Sequence, residues 1–370
     1  MRVLHVISSN QRRGAEMFAS QLIEFLNETT VTQRVAVLNG SENSPLSYQS
    51  PTEIWKSDGW MFPGLRTDAR TLLRLRKLIS SWSPDLIQAH GGEALKYALF
   101  AGHGRNTRVI YRKIGTIAPW AERGPRRIAY AVLMRRAACV VTTAEALRKE
   151  TIGLFGVAPH KVVTIPRGVD PRGVEPIKGR ERTRRSLGIS ETARVILSLG
   201  ALTWEKDPVA HIELVARVSS QEPEVVHIVA GDGPLRVQVE EAARARGLDG
   251  RVLHLGVRSD VGDLLAASDV MLLASRAEGM PGVVIEAGMA GLPVVAYAVA
   301  GVPEVVANGV TGLLAAPGDL DSLTEFTLRL LRDEATRCTM GAAARERCRS
   351  QFDARNVAPR YIALYRGLVN

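Results

Sequence analysis

Glu278-Gly279-Met280-Pro281-Gly282-Val283-Val284-Ile285-Glu286 sets two carboxylates eight positions apart, separated by a Gly/Pro turn and the opening of an apolar segment. Gly279, Pro281 and Gly282 let a loop pass close to a ligand and end at a helix start, where backbone N–H groups and the helix dipole favour an anion such as phosphate. Glu278 falls in the loop and Glu286 about one turn into the predicted helix, so both can face one pocket while Val283, Val284 and Ile285 turn to the core. Two carboxylate acceptors beside a phosphate suit the hydroxyls of ribose and sugar. Outward from this stretch, Gly291-Leu292-Pro293-Val294-Val295-Ala296 reads as a helix stop and a buried strand, and Ala300-Gly301-Val302-Pro303-Glu304 as a second glycine turn. An isolated pair of glutamates would be an ordinary solvated helix face. The order of turn, helix and strand around this pair favours a site.

The same rhythm extends through the chain. Short apolar strands are predicted near Arg2–Ile7, Gln33–Leu38, Asp85–Ala89, Arg108–Tyr111, Cys139–Thr142 and Val162–Ile165. A second set follows near Val195–Leu199, Val225–Val229, Val252–Leu255, Val270–Leu273, Val294–Ala296 and Gly312–Leu314. Helical segments separate them, the signature of α/β architecture with doubly wound parallel sheets. At 370 residues the chain exceeds what one core usually organises, and 46% hydrophobic residues supply two. The expected division is a first domain over 1–170, a Pro-, Gly- and Arg-rich linker over 171–190, a second domain over 191–350, and a terminal helix over 351–370 that crosses back to the first domain. Ligands of open α/β sheets bind beyond the carboxyl ends of the strands, so two such sheets facing each other imply a deep interdomain cleft.

Charge is uneven. Residues 1–185 carry 30 Lys+Arg against 15 Asp+Glu, a balance of +15, and residues 186–370 carry 18 against 23, a balance of −5. Arg66, Arg70, Arg74, Arg76 and Lys77 line one predicted amphipathic helix, and Arg123, Arg126, Arg127, Arg135 and Arg136 another. Each helix alone reads as a solvated face; the domain-wide asymmetry points to an anionic membrane surface or acceptor. No nucleic-acid-binding module is recognisable and aromatic residues are few, so nucleic acid is not expected as a partner. The opening Met1-Arg2-Val3-Leu4-His5-Val6-Ile7 is too short an apolar run for a signal peptide or membrane span, and no later run suits a span. With Cys139, Cys338 and Cys348 lacking metal-ligand or redox spacing, a cytoplasmic protein, at most peripheral on the inner face of the plasma membrane, is expected.

Further motifs occur in a fixed order: Arg13-Gly14-Ala15-Glu16 after the first strand, Asp85-Leu86-Ile87-Gln88-Ala89-His90, and Pro166-Arg167-Gly168-Val169-Asp170. Then come Leu199-Gly200-Ala201-Leu202-Thr203-Trp204-Glu205-Lys206-Asp207, Ala230-Gly231-Asp232-Gly233-Pro234-Leu235 and His254-Leu255-Gly256-Val257. Over nearly its whole length the chain thus resembles the retaining nucleotide-sugar glycosyltransferases of the GT-B fold, of the glycosyltransferase family 4 type. The resemblance implies two Rossmann-like domains, an acceptor-binding one and then a donor-binding one. It also implies that Gly14 lies at a strand-to-helix turn over the donor or acceptor, although a plain loop glycine fits the local sequence equally well.

Lys206 follows a strand and its glycine turn at Gly200, where an ammonium can neutralise a departing pyrophosphate as a point charge. Lys206 and Glu278 are the expected catalytic pair. Gly279, Met280, Pro281, Gly282 and Val283 present backbone to sugar and phosphate, Glu286 holds the ribose, and Val257 and Arg258 meet the base; Gly231 marks a turn that is either part of the site or structural. The chain departs from the family where Ala201 replaces the usual arginine after the glycine, for which Arg12, Arg13, Arg258 and Arg276 are candidate substitutes. It departs again where Tyr111-Arg112-Lys113-Ile114-Gly115 replaces a motif carrying a histidine. Arg112, Lys113 or His90 are the acceptor-side candidates, with His90 equally readable as a satisfied strand-end histidine.

No Asp/His cluster for a divalent ion is evident, so a metal-independent transfer without a cofactor beyond the nucleotide-sugar co-substrate is expected. In the reaction the resemblance implies, the departing phosphate oxygen takes the acceptor proton. The expected activity is retaining transfer of a sugar from a nucleotide-diphosphate donor, UDP-sugar before GDP-sugar, to a hydroxyl of a lipid-linked sugar or cell-surface polysaccharide precursor. The alternatives are a nucleotide-sugar epimerase and a degenerate member that binds nucleotide or carbohydrate without transfer.

Overall fold

The computed structural model of the chain describes all residues except 12–13, 28–30, 41–45, 57–60, 63–66, 106, 117–123 and 370, and the side chains of 15, 61 and 62. Arg12, Arg13, Trp60, Arg66 and Arg123 therefore lie outside the described residues. The chain forms two compact units, one of residues 1–168 with 354–370 and one of residues 169–353.

The first unit contains a parallel sheet of seven strands, Arg2–Ile7 (β1), Thr32–Val37 (β2), Thr52–Ile54 (β3), Leu86–His90 (β6), Arg108–Lys113 (β7), Cys139–Thr142 (β8) and Val162–Thr164 (β9). A two-stranded antiparallel pair, Met61–Phe62 (β4) and Thr67–Asp68 (β5), lies outside it. The spatial order is β3-β2-β1-β6-β7-β8-β9, so the direction of winding reverses between β1 and β6. Strand β3, which sequence patterning does not reveal, is three residues long and pairs at the edge with β2. One face is covered by helix Gly14–Asn27 and the final helix Ala354–Val369; Phe18, Tyr361 and Tyr365 are buried there with Val3, Leu86 and Val141.

The second unit has six parallel strands, Arg194–Leu199 (β10), Val225–Ala230 (β11), Val252–Gly256 (β12), Val270–Leu273 (β13), Val294–Tyr297 (β14) and Gly312–Ala315 (β15). Their order is β12-β11-β10-β13-β14-β15, with the reversal between β10 and β13. Val195, Ile196 and Leu197, like Val270, Met271 and Leu272, are fully buried, which is why these strands read as continuous apolar runs rather than alternating ones.

Residues 171–190, expected to form a linker, are instead folded onto the second unit. A short 3₁₀ turn, Pro171–Val174, and helix Arg180–Ser186 occupy this stretch. The amides of Ile177, Lys178 and Gly179 all donate to Oδ1 of buried Asp263, at 2.8, 2.7 and 3.2 Å. Arg180 and Arg184 both pair with buried Asp269, at 2.6 and 2.9 Å. The segment lacks apolar periodicity because polar and ionic contacts, not a greasy stripe, dock it. Among the described residues no helix is long and apolar enough to cross a membrane.

Candidate functional site

A crevice forms where an open parallel sheet reverses its winding, because the loops leaving the two central strands run to opposite faces. In the second unit those loops are the two most distinctive stretches of the sequence: β10 runs into Gly200–Asp207 and β13 into Ser275–Gly282. Lys206 sits in a 3₁₀ turn, Trp204–Lys206, and its Nζ lies 2.5 Å from Glu278 Oε1. The Glu278 side chain is only 7% exposed and that of Lys206 27%, so the carboxylate is inside and the ammonium reaches the surface.

Two further contacts lock the loops together. The Arg276 amide donates to Glu205 O at 2.8 Å, and the Arg276 guanidinium pairs with Asp207 at 2.7 Å while lying 5.3 Å from the Trp204 ring centre. Asp207 takes the left-handed conformation with φ 44°. Arg276 is thus committed to shaping the turn, and Arg258 pairs with Asp260 at 2.5 Å, which raises its pKa. Both candidate substitutes for the arginine at Ala201 that lie among the described residues have carboxylate partners.

The glycines have separate reasons to be glycines. A Cβ on Gly231, at φ 153°, would lie 1.8 Å from Gly200 O, and one on Gly233 would lie 2.5 Å from Leu202 O. The Gly231 amide donates to Gly256 O at 2.8 Å and the Leu202 amide to Asp232 O at 3.0 Å. Close backbone packing between the loops after β10, β11 and β12 therefore accounts for Gly231. Val257, just beyond β12, is 69% exposed.

Helix Gly282–Ala290 begins at Pro281 without a side-chain cap. Gly282, Val284, Ile285, Ala287, Gly288 and Met289 are buried, whereas Val283 and Glu286 are partly exposed, three residues apart and so on one face. Val283, expected to turn to the core, thus shares the open face with Glu286. The loop before the helix is held by the Gly301 amide, which donates to Gly279 O at 2.9 Å; Met280 and Pro281 are buried. Gly288 lets the helix approach Glu334–Phe352 closely, since a Cβ there would lie 2.4 Å from Cys348 Sγ.

Behind the Gly200 turn lies a small open pocket, its enclosed volume about 20 Å³, lined by Ser198, Gly200, Ala201, Lys206, His211 and His227 among others. His211 and His227 carry no motif and escape sequence reading. Burial holds the pKa of His211 down at about 4 and that of His227 well below its ordinary value.

The reversal point of the first sheet is built differently. Gln33 Nε2 donates to Ile23 O and Asn27 Oδ1, at 3.0 and 2.7 Å, so its Oε1 accepts from His5 Nε2 at 2.9 Å. His5 Nδ1 must then accept from His90 Nε2 at 3.1 Å, and His90 Nδ1 accepts from Arg112 Nη1 at 3.3 Å. The chain crosses β2, β1, β6 and β7 in spatial order. His90 and Arg112 are 3% and 1% exposed. Burial lowers His5 to about 4, His90 well below its usual range, and Arg112 to about 10. Lys113 is buried as well, 3.0 Å from Glu150 and 2.8 Å from Gly115 O. The three acceptor-side candidates are therefore held inside the unit, with His90 a satisfied strand-end histidine. Gly14, exposed at the start of its helix, is packed by Arg167, whose Nη1 would lie 3.0 Å from an added Cβ.

Among the described residues no three His, Cys, Asp or Glu side chains are grouped to hold a metal ion.

The model for "Glycosyl transferases group 1" matches residues 179–347 and that for "Glycosyltransferase Family 4" residues 12–172. The chain belongs to the family 4 type of glycosyltransferases. This glycosyltransferase is 30% identical over 227 residues to N-acetyl-alpha-D-glucosaminyl L-malate synthase of Bacillus anthracis, covering 61% of this chain and 58% of that protein. It is 29% identical over 318 residues to 2-deoxystreptamine glucosyltransferase of Streptomyces kanamyceticus, covering 80% of this chain and 81% of that one. Its fold is GT-B: it superposes on Anabaena HepE, solved in complex with UDP-glucose, with a TM-score of 0.86 at 21% identity over 99% of this chain and 100% of the other.

Proposed function

We propose that this glycosyltransferase transfers a sugar, with retention of configuration and without a metal ion, from a nucleotide-diphosphate donor to a hydroxyl of a lipid-linked sugar or surface polysaccharide precursor. The observation that carries the reading is the Lys206–Glu278 pair beside the start of helix Gly282–Ala290. It joins a cation for a diphosphate, a buried carboxylate for sugar hydroxyls, and a helix N-terminus whose dipole favours an anion. A UDP-sugar is the favoured donor; the complex of HepE with UDP-glucose supports that choice by analogy of fold.

The roles follow from the geometry. Lys206 neutralises charge building on the leaving diphosphate, where a fixed cation in a partly dry site is worth far more than in water. Its contact with Glu278 holds the two side chains together, so the carboxylate is placed to orient the transferred sugar. Glu286, on the open face of its helix, accepts from the two ribose hydroxyls. The leaving phosphate oxygen takes the acceptor proton, so no separate base is required. The acceptor is presented at an anionic lipid surface to the basic first unit, where helix Gly124–Arg136 exposes Arg126, Arg127, Ile128 and Val132 together.

A thermal-shift panel of UDP, GDP, ADP and their sugars without metal, on the wild type and Glu286→Ala, tests the donor site. Ligand at about 100 times its dissociation constant adds about 2.7 kcal/mol of stability. Stabilisation of the wild type and not the variant is expected. No response from any nucleotide would overturn the reading.

A further inference from the structure

The pocket behind the Gly200 turn has a polar wall with no counterpart in the roles above. His211 is the fourth residue of helix Pro208–Ser219 and is 6% exposed. Its Nε2 lies 3.0 Å from the amide of Ala274, the residue following β13. A backbone amide can only donate, so Nε2 is the acceptor and the neutral ring carries its proton on Nδ1. Nδ1 has no hydrogen-bond partner among the described residues, and His211 lines the pocket. Beside it, His227 is fully buried, 2.9 Å from Ser198 Oγ through Nε2, and its Nδ1 is without a partner. The two rings meet edge to face with centres 6.3 Å apart. A buried polar wall of this kind is costly when it faces nothing polar. Gly200, Ala201, Leu202 and Lys206 also line the pocket. Lys206 is the one cation of that lining, and it is shared with Glu278.

We propose that His211 is a ligand-binding residue of the donor site, a neutral imidazole whose Nδ1–H donates to an anionic oxygen of the nucleoside diphosphate held by the Gly200 turn and Lys206. The inference rests on the donor-site reading above and adds a contact to it. A neutral donor suits this position because a second fixed cation beside Lys206 would have to be desolvated in the absence of ligand. The Ala274 amide fixes the tautomer from the end of β13, so the two strands of the reversal point supply the turn and the orientation of its donor.

The test measures, by calorimetry, binding of whichever of UDP, GDP and ADP the wild type prefers, and of the corresponding nucleoside, to the wild type, His211→Gln, His211→Leu and Glu286→Ala. Glutamine keeps an acceptor for Ala274 but offers no donor at the Nδ1 position, so it separates ligand contact from folding should the leucine variant fail to fold. A hydrogen bond to a charged group corresponds to about tenfold or more in affinity. His211→Gln should therefore bind the diphosphate about tenfold more weakly and the nucleoside unchanged. Long-range ¹H–¹⁵N spectra should show the His211 Nδ1–H tautomer in the free protein and a shift of that nitrogen on adding the diphosphate. Equal affinity of His211→Gln and wild type, or an equal loss for nucleoside and diphosphate, would overturn the role of His211 while Glu286→Ala still loses binding. Failure of the wild type to bind any of the three nucleotides would instead remove the donor-site reading itself.

Discussion

The two sheets reverse their winding in the same way and use the two places for opposite purposes. Between β10 and β13 the loops leave a partly exposed lysine on a buried glutamate, with a pocket behind them. Beside the reversal between β1 and β6 the strands themselves carry a buried polar chain from His5 through His90 to Arg112, none of them more than 3% exposed. Topology therefore offers a crevice in both units, but side-chain chemistry decides whether it stays available. A cation left partly exposed on a carboxylate can serve a ligand; a cation buried between His90 and the Phe18 ring is held within the fold.

The sharpest break of that comparison is Lys206→Ala. It removes the one surface cation of the pair and leaves Glu278 buried without a counter-charge, so donor turnover should fall by about a hundredfold or more. Release of nucleoside diphosphate measures it, and an unchanged rate would end the contrast. The counterpart in the first unit, His90→Leu, should cost about 2–4 kcal/mol in urea unfolding through the acceptor lost to Arg112 and the donor lost to His5. Nucleotide affinity should stay within a factor of two or so, since the residue acts on stability alone.

Gly231→Ala strikes the second unit without touching a charge. The added methyl would meet Gly200 O, at a backbone angle side chains rarely adopt, and a loss of about 2–3 kcal/mol with a weakened nucleotide response is expected. Melting with and without UDP reads both effects.

Acid should reveal the buried histidines. Their folded pKa values lie below the unfolded value of 6.5, so the unfolded chain binds more protons as acid is added. Stability is full above about pH 6.5 and is lost as the pH falls toward 4, by on the order of 3 kcal/mol for a group such as His5. His5→Gln should flatten this slope between pH 6.5 and 4 in urea titrations; an unchanged slope would deny that His5 is held neutral. The smallest effect belongs to the surface. Arg126→Glu with Arg127→Glu should weaken binding to vesicles containing anionic lipid by about 1 kcal/mol or slightly more per residue and leave turnover of a soluble acceptor unchanged.

Much of the architecture was legible because parallel strands buried on both faces must be apolar throughout. Twelve strand expectations, from Arg2–Ile7 to Gly312–Leu314, correspond to strands within two residues at their ends. The edge strand Thr52–Ile54 was not legible, being short, half exposed and polar at two of three positions. Residues 171–190 escaped for another reason: Asp263 and Asp269, some eighty positions away, hold them.

For the site, the sequence by itself determined the residue types and their order: glycine turns after strands, Lys206 in one turn, Glu278 and Glu286 eight positions apart around a helix start, and basic residues gathered in the first half. Local rules suffice for these, because turns, helix starts and buried strands each constrain their own few residues. Only the tertiary structure decided which polar groups meet. It joined Lys206 to Glu278 across seventy-two positions, gave Arg276 to Asp207 and Arg258 to Asp260, and turned His211 toward the Gly200 pocket. It also withdrew His90, Arg112 and Lys113 into the first unit. Whether a charged side chain faces a ligand or another residue depends on what the fold brings opposite it, and that partner is distant in the sequence.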